Sequence, residues 1–177
     1  MRVAVDVDGV LADRVGAALD RVRGWYGLDL RKEDVDSYDY DFGDTGVDIG
    51  TVIGATASPA HVRRLDAVPG AVEGARALAG AHDVLIATHR RRSLYPATAA
   101  WLADHDIPYD AFAVAPGEGK TAVEADVLVD DRPANAAAFA KEGGRAVLFR
   151  QPWNADARPA DGVVARRGWD AVVEYLA

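Results

Sequence analysis

The sequence predicts an α/β fold, a parallel sheet wrapped by helices on both faces. Three observations carry that prediction. Short apolar runs rich in β-branched residues recur along the chain. Helical stretches separate most of them. The runs are apolar at almost every position, as strands covered on both faces are. At 177 residues, half of them hydrophobic, the chain has material for one domain, or one domain with a sizeable insertion.

Residues 2–7 open the chain as a strand, with Val3, Val5 and Val7 at alternate positions. The strand ends in Asp6 and Asp8, two apart and so able to face one side, and Gly9 lets the backbone turn away. Residues 15–26 read as a helix. Ala18, Leu19, Val22, Trp25 and Tyr26 recur three and four apart, and Gly27 stops it. From Leu28 to about Asp66 the pattern weakens. Asp34, Asp36, Tyr38, Asp39, Tyr40, Asp41, Phe42 and Asp44 crowd together, glycines punctuate the stretch, and Ser58-Pro59 reads as a helix start. Residues 14–68 are therefore expected to form an insertion of short helices over the site.

Regular alternation resumes at Pro69-Gly70. A helix is expected over 71–80 and a strand over 82–88, ending in Thr88. Ser93 is expected to cap a helix running to about His105. A short strand over 111–115 and a turn at Pro116 to Gly119 follow, then a short helix over 120–124. The strand 126–130 ends in Asp130-Asp131. Arg132-Pro133 opens a helix to Glu142, closed by Gly143-Gly144. A strand over 145–149, a loop at Gln151 to Asn154, a last strand near Val163-Val164 and a helix over 169–176 complete the chain.

The net charge of −8 argues against a polymeric nucleic acid as partner. The absence of cysteine excludes disulfides and thiolate metal sites. No apolar run reaches the length of a membrane span, and the expected location is the cytoplasm. The charges are skewed: 22 Asp against 6 Glu, and 17 Arg against 3 Lys. In such a chain each lysine is conspicuous.

Strand ends of a parallel sheet share one edge. Asp6, Asp8, Thr88, Asp130 and Asp131 can therefore converge, with Lys120 from the loop before the last of those strands. Acids, a hydroxyl and one ammonium suit Mg²⁺ and a phosphate, because that cation prefers oxygen ligands. Singly, each signal has a plainer reading: a turn at D-x-D-G, a cap at Thr88 or Asp130-Asp131, a surface lysine. In order, they outweigh it.

The order resembles the haloacid dehalogenase-like phosphohydrolase superfamily. The match runs through Asp6-Val7-Asp8-Gly9-Val10, Thr88, Lys120 and Asp130-Asp131. Within it, DVDGVLAD, VLVDDRPAN and LFRQPWN are similar to the 5'(3')-deoxyribonucleotidase group. The resemblance implies a Rossmann-like core of residues 1–13 and 69–177, and a small, mainly helical cap over 14–68. It implies that Asp6 is the nucleophile and Asp8 the proton donor and acceptor. Mg²⁺ would be held by Asp6, the Asp8 carbonyl and the acidic pair, with Asp131 as the direct ligand and Asp130 behind it. Thr88, His89 and Lys120 would bind the phosphate of a small substrate, a nucleoside monophosphate. The run His89-Arg90-Arg91-Arg92 directly after Thr88 is placed to meet the substrate phosphate or leaving group, while Arg91 and Arg92 read as solvated charge. The aromatics of the insertion are expected mostly to pack it, with one or two touching substrate. Asn135 is expected to orient Lys120 or the metal ligands, or to face solvent. The loop at Gln151 to Asn154 is expected to be structural.

Other functions are a phosphatase or phosphotransferase acting on a non-nucleotide phosphoester, a phospho-accepting signalling domain, and a silent relative kept for binding. Chain order opposes the signalling domain, which opens on its acidic pair and carries its acceptor mid-chain. No motif residue is missing, which opposes the silent relative.

Overall fold

The computed structural model describes residues 1–114 and 120–177. Six strands form one parallel sheet: β1 (Arg2–Val5), β2 (Asp83–Thr88), β3 (Ala111–Val114), β4 (Val127–Asp130), β5 (Arg145–Phe149) and β6 (Val163–Arg166). Their order is β3-β2-β1-β4-β5-β6, and every neighbouring pair is parallel. β1 thus lies at the centre, between β2 and β4. Val5 stands opposite Ile86 on one side and Val129 on the other.

The alternation of side chains splits the core into two layers. Val3, Val5, Val84, Ile86, Val127 and Val129 pack beneath α4 (Ala71–Ala79), α5 (Tyr95–Asp104) and α7 (Trp169–Leu176), through Leu78, Trp101, Trp169 and Leu176. Ala4, Leu85, Ala87, Leu128 and Ala146 pack against α6 (Pro133–Lys141), through Ala136 and Phe139. The strands are apolar on both faces because helices cover both.

Between β1 and α4 come α1 (Arg14–Tyr26), α2 (Ile49–Ala55) and α3 (Pro59–Val62), with 3₁₀ turns at Lys32–Asp34 and Gly43–Thr45. Gly27 closes α1 at φ 70°, and Ser58 caps α3, accepting from the His61 amide. Val15, Leu19 and Val22 of α1 meet Val35, Phe42, Ile49 and Val52 in a cluster of their own, which also takes in Trp153 from the far end of the chain. Among the described residues, no helix is long and apolar enough to cross a membrane.

Two expected elements are corrected. Ser93 does not cap α5. It sits inside a 3₁₀ turn at Arg92–Leu94, and the helix starts at Tyr95. Pro96, which has no amide hydrogen to give, takes the first turn of the helix and fixes that start. Residues 120–124 form no α-helix: Lys120 has 3₁₀ hydrogen bonding and the chain turns through 121–123. Lys120 has φ 52°, in the left-handed region, which a helix cannot incorporate. The expected turn at Pro116 to Gly119 lies outside the described residues.

Candidate active site

The register of the central strands builds the site. The Asp6 amide donates to the Val129 carbonyl at 2.9 Å, extending the β1–β4 ladder by one residue. That places Asp6 beside Asp130 and Asp131. The chain then turns at Gly9, with φ 81°. A Cβ there would overlap the Asp131 carboxylate, 2.8 Å from its carbon, and press on Trp153 at 3.3 Å. Only glycine gives both the backbone angle and the room.

Asp6, Asp130 and Asp131 are buried, and each offers an oxygen within 4.8 Å of the others. Lys120 lies under them with no exposed side-chain surface. Its Nζ reaches Asp6 Oδ1 at 2.6 Å and Asp130 Oδ2 at 2.7 Å. Asp130 is fully engaged. Its Oδ1 accepts from the Arg132 amide at 2.8 Å, and its Oδ2 accepts from Lys120 and from Asn135 Nδ2 at 3.0 Å. Asp131 accepts on Oδ2 alone, from Trp153 Nε1 at 2.8 Å. Among the described residues its Oδ1 has no hydrogen-bond donor.

Three carboxylates share one ammonium, so the cluster carries excess negative charge in a buried place. Burial pushes Asp6 up to about 7, against the pull of Lys120 and with help from Asp130. Burial and the neighbouring Asp130 raise Asp131 well above the usual carboxylate range. Burial alone would lower Lys120, but Asp6 and Asp130 outweigh it and raise it. A cation among these oxygens relieves the repulsion. The donor set fits a hard divalent ion: oxygen ligands only, with two carboxylates not fully engaged.

Asp8 stands apart from that trio. Arg90 holds it through Nη2 to Oδ1 at 2.5 Å and Nε to both oxygens at 3.1–3.2 Å, and Arg14 Nη1 reaches Oδ2 at 2.5 Å. Burial would raise Asp8, yet the two guanidiniums hold it below the usual carboxylate range. Its side chain therefore lies outside the carboxylate trio.

A pocket of about 380 Å³ opens on these residues, lined by Asp6, Asp8, Asp131, Arg14, His89 and Tyr38 among others. Thr88 is buried at the end of β2, and its Oγ1 accepts from the Arg90 amide at 3.1 Å. Neither Thr88 nor Lys120 lines the pocket wall; both stand behind it. His89 is exposed on the rim, and Arg91 and Arg92 face solvent as expected. Asn135 serves Asp130 rather than solvent.

Sequence reasoning did not single out Arg14, did not foresee that Arg90 would turn to Asp8, and missed the part played by the loop at Gln151 to Asn154. That loop does more than fix the chain. Gln151 Nε2 donates to the Gly9 carbonyl at 2.6 Å, Trp153 holds Asp131, and Asn154 Nδ2 donates to the Asp131 carbonyl at 2.6 Å. Of the aromatics in the insertion, Tyr38 faces the site. Its hydroxyl donates to the Asp131 carbonyl at 2.5 Å, and Arg132 stacks on its ring at 5.4 Å. Tyr40 and Phe42 pack on each other, and Trp25 and Tyr26 are exposed.

The chain is similar to several known proteins. A curated Staphylococcus epidermidis protein named "Putative 5'(3')-deoxyribonucleotidase" is 26% identical over 177 residues, covering 99% of this chain and 95% of its own. A haloacid dehalogenase family hydrolase from Deinococcus radiodurans, solved with phosphate and sodium, superposes with a TM-score of 0.69 at 17% identity, over 99% of this chain and 94% of the other. YfnB from Bacillus subtilis, a haloacid dehalogenase hydrolase described as bound to magnesium, gives 0.64 at 11% identity, over 99% and 97%. These two solved structures share the fold. Residues 1–174 match the model of one family, and the chain belongs to it: the 5' nucleotidase, deoxy (pyrimidine), cytosolic type C proteins, hydrolases of phosphomonoesters.

Proposed function

We propose that the chain is a Mg²⁺-dependent nucleotidase that releases phosphate from a nucleoside monophosphate through an aspartyl-phosphate. The observation that carries this reading is the meeting of Asp6, Asp130 and Asp131 over Lys120, with Asp8 beside them at the floor of one pocket.

Asp6 attacks phosphorus. The bond from phosphorus to the leaving oxygen breaks, and Asp8 gives that oxygen a proton. Water then attacks the aspartyl-phosphate, Asp8 takes its proton, and inorganic phosphate departs. Arg14 and Arg90 favour the anionic form of Asp8, which is the form the second half needs. A phosphate dianion entering beside Asp8 opposes them and favours the protonated form the first half needs. Lys120 and Thr88 would balance phosphate charge from behind the wall, and His89 from the rim.

Mg²⁺ would be held by Asp6, by the free oxygen of Asp131 and by the Asp8 carbonyl. Asp130, engaged by Lys120, Asn135 and the Arg132 amide, would orient the set. Bound there, the ion supplies charge that lets a carboxylate and a phosphate approach each other. Residues 14–68 would act as the cap, with Tyr38 presenting its ring to the pocket. Aromatic surface of that kind suits a base.

Asp6→Asn tests the assignment. With Mg²⁺ present, the variant should fold and release no phosphate from thymidine 5'-monophosphate or 4-nitrophenyl phosphate. Turnover by Asp6→Asn would refute the nucleophile.

A further inference from the structure

We propose that Arg90 is a positioning residue for Asp8, fixing its carboxylate where the leaving oxygen is protonated. The proposal rests on Asp8 being the proton donor.

Arg90 lines the pocket, but its side chain has no exposed surface, so the guanidinium acts on a substrate only through another residue. Three contacts lock it. Its amide donates to Thr88 Oγ1 at 3.1 Å, its Nη1 donates to Thr98 Oγ1 at 3.0 Å, and Thr98 in turn donates to the Leu94 carbonyl at 2.9 Å. The end of β2 thereby holds the Arg90 backbone, and Thr98 near the start of α5 holds the guanidinium. Its other edge, Nε and Nη2, grips Asp8. A rigid fork on a carboxylate sets orientation as well as distance, which a lysine ammonium does not.

Asp8 keeps about a quarter of its side-chain surface open to the pocket. A carboxylate so gripped cannot rotate away from that opening. Arg14 is the looser partner. It comes from α1, touches Oδ2 alone and is 17% exposed. Arg90 therefore supplies the fixed reference for the acid, and Arg14 a second charge.

The consequence is selective. An alkyl leaving oxygen, such as a sugar 5'-oxygen, needs a proton as it departs. A 4-nitrophenolate does not. A well-placed general acid contributes about 10²–10⁴-fold. In single-turnover experiments with Mg²⁺, Arg90→Met should release thymidine from thymidine 5'-monophosphate about 10²-fold more slowly than the unaltered chain. Its first-turnover release of 4-nitrophenolate should fall by less than about threefold, and KM for both esters should stay within about threefold. Arg90→Lys, which keeps the charge and loses the fork, should fall between. A crystal structure of Arg90→Met should show Asp8 swung towards Arg14.

Equal slowing of both esters, a rise in KM alone, or Asp8 unmoved in the variant crystal would each overturn the proposal. Asp8→Asn separates the two layers of argument. If it discriminates between the esters and neither Arg90 variant does, Arg90 has no positioning role and the acid stands. If Asp8→Asn slows both equally, the acid assignment falls and the proposal falls with it. If Arg90→Met does not fold, Arg90→Lys carries the same comparison.

Discussion

Gly9→Ala is the sharpest test of how the carboxylate cluster is built. An alanine there must hold φ near 81°, which costs about 1–2 kcal/mol for an L-residue. Its methyl must also displace the Asp131 carboxylate, since the added carbon would lie 2.8 Å from Asp131 Cγ. Moving Asp131 breaks the bond from Trp153, a buried hydrogen bond to a charged group, at about 1–3 kcal/mol. The sum is about 3 kcal/mol, or a drop in Tm of roughly 6–12 °C for a domain of this length. Gly24→Ala is the matched control. Gly24 lies within α1 with nothing within 4 Å of an added methyl, so alanine there should stabilise by about 0.5–1 kcal/mol. Thermal unfolding by circular dichroism reads both variants, and calorimetric titration with Mg²⁺ reads the site. A Gly9→Ala chain that melts with the unaltered protein and binds Mg²⁺ as tightly would refute the packing argument.

The charge cluster makes two further predictions. Asp6 sits at about 7 when folded against 3.8 when free, so the folded chain holds an extra proton between those values, and its contribution to stability falls as pH rises from 4 to 7. Asp131, also raised, acts with the same sign, whereas Asp8, held low, acts below that window. In EDTA, the gap in Tm between Asp6→Asn and the unaltered chain should therefore widen in favour of the variant from pH 5 to pH 8. Mg²⁺ should close it most at pH 8; a pH-independent gap would contradict the buried-charge account. Trp153→Phe keeps most of the ring and removes the donor to Asp131. It should weaken Mg²⁺ binding by about 10-fold or more, and an unchanged titration would show that Trp153 only packs.

Much of this was legible in the residues because buried parallel strands are written in a simple alphabet. Val3, Val5 and Val84 to Ala87 admit few other readings, and strand ends in one sheet must share an edge. That alone brings Asp6, Thr88 and Asp130 together. Arg90 was illegible for the opposite reason. In His89-Arg90-Arg91-Arg92 the three arginines look alike, and only the path of the loop after β2 decides which one turns inward. Arg14 was hidden by its place at the head of an ordinary amphipathic helix. Trp153 and Asp131 lie 22 residues apart, a pairing no local pattern encodes. The failed helix at 120–124 came from backbone geometry. Lysine is a fair helix former, and nothing in its side chain announces a left-handed φ.

The strand order has a bearing on synthesis. β1 emerges first, yet the neighbour that completes its acidic rim is β4, which ends at residue 130. A growing chain that has reached only β3 holds Asp6 without Asp130, Asp131 and Lys120, its partners in the finished cluster. The carboxylate cluster is completed late, when β4 slots in beside β1.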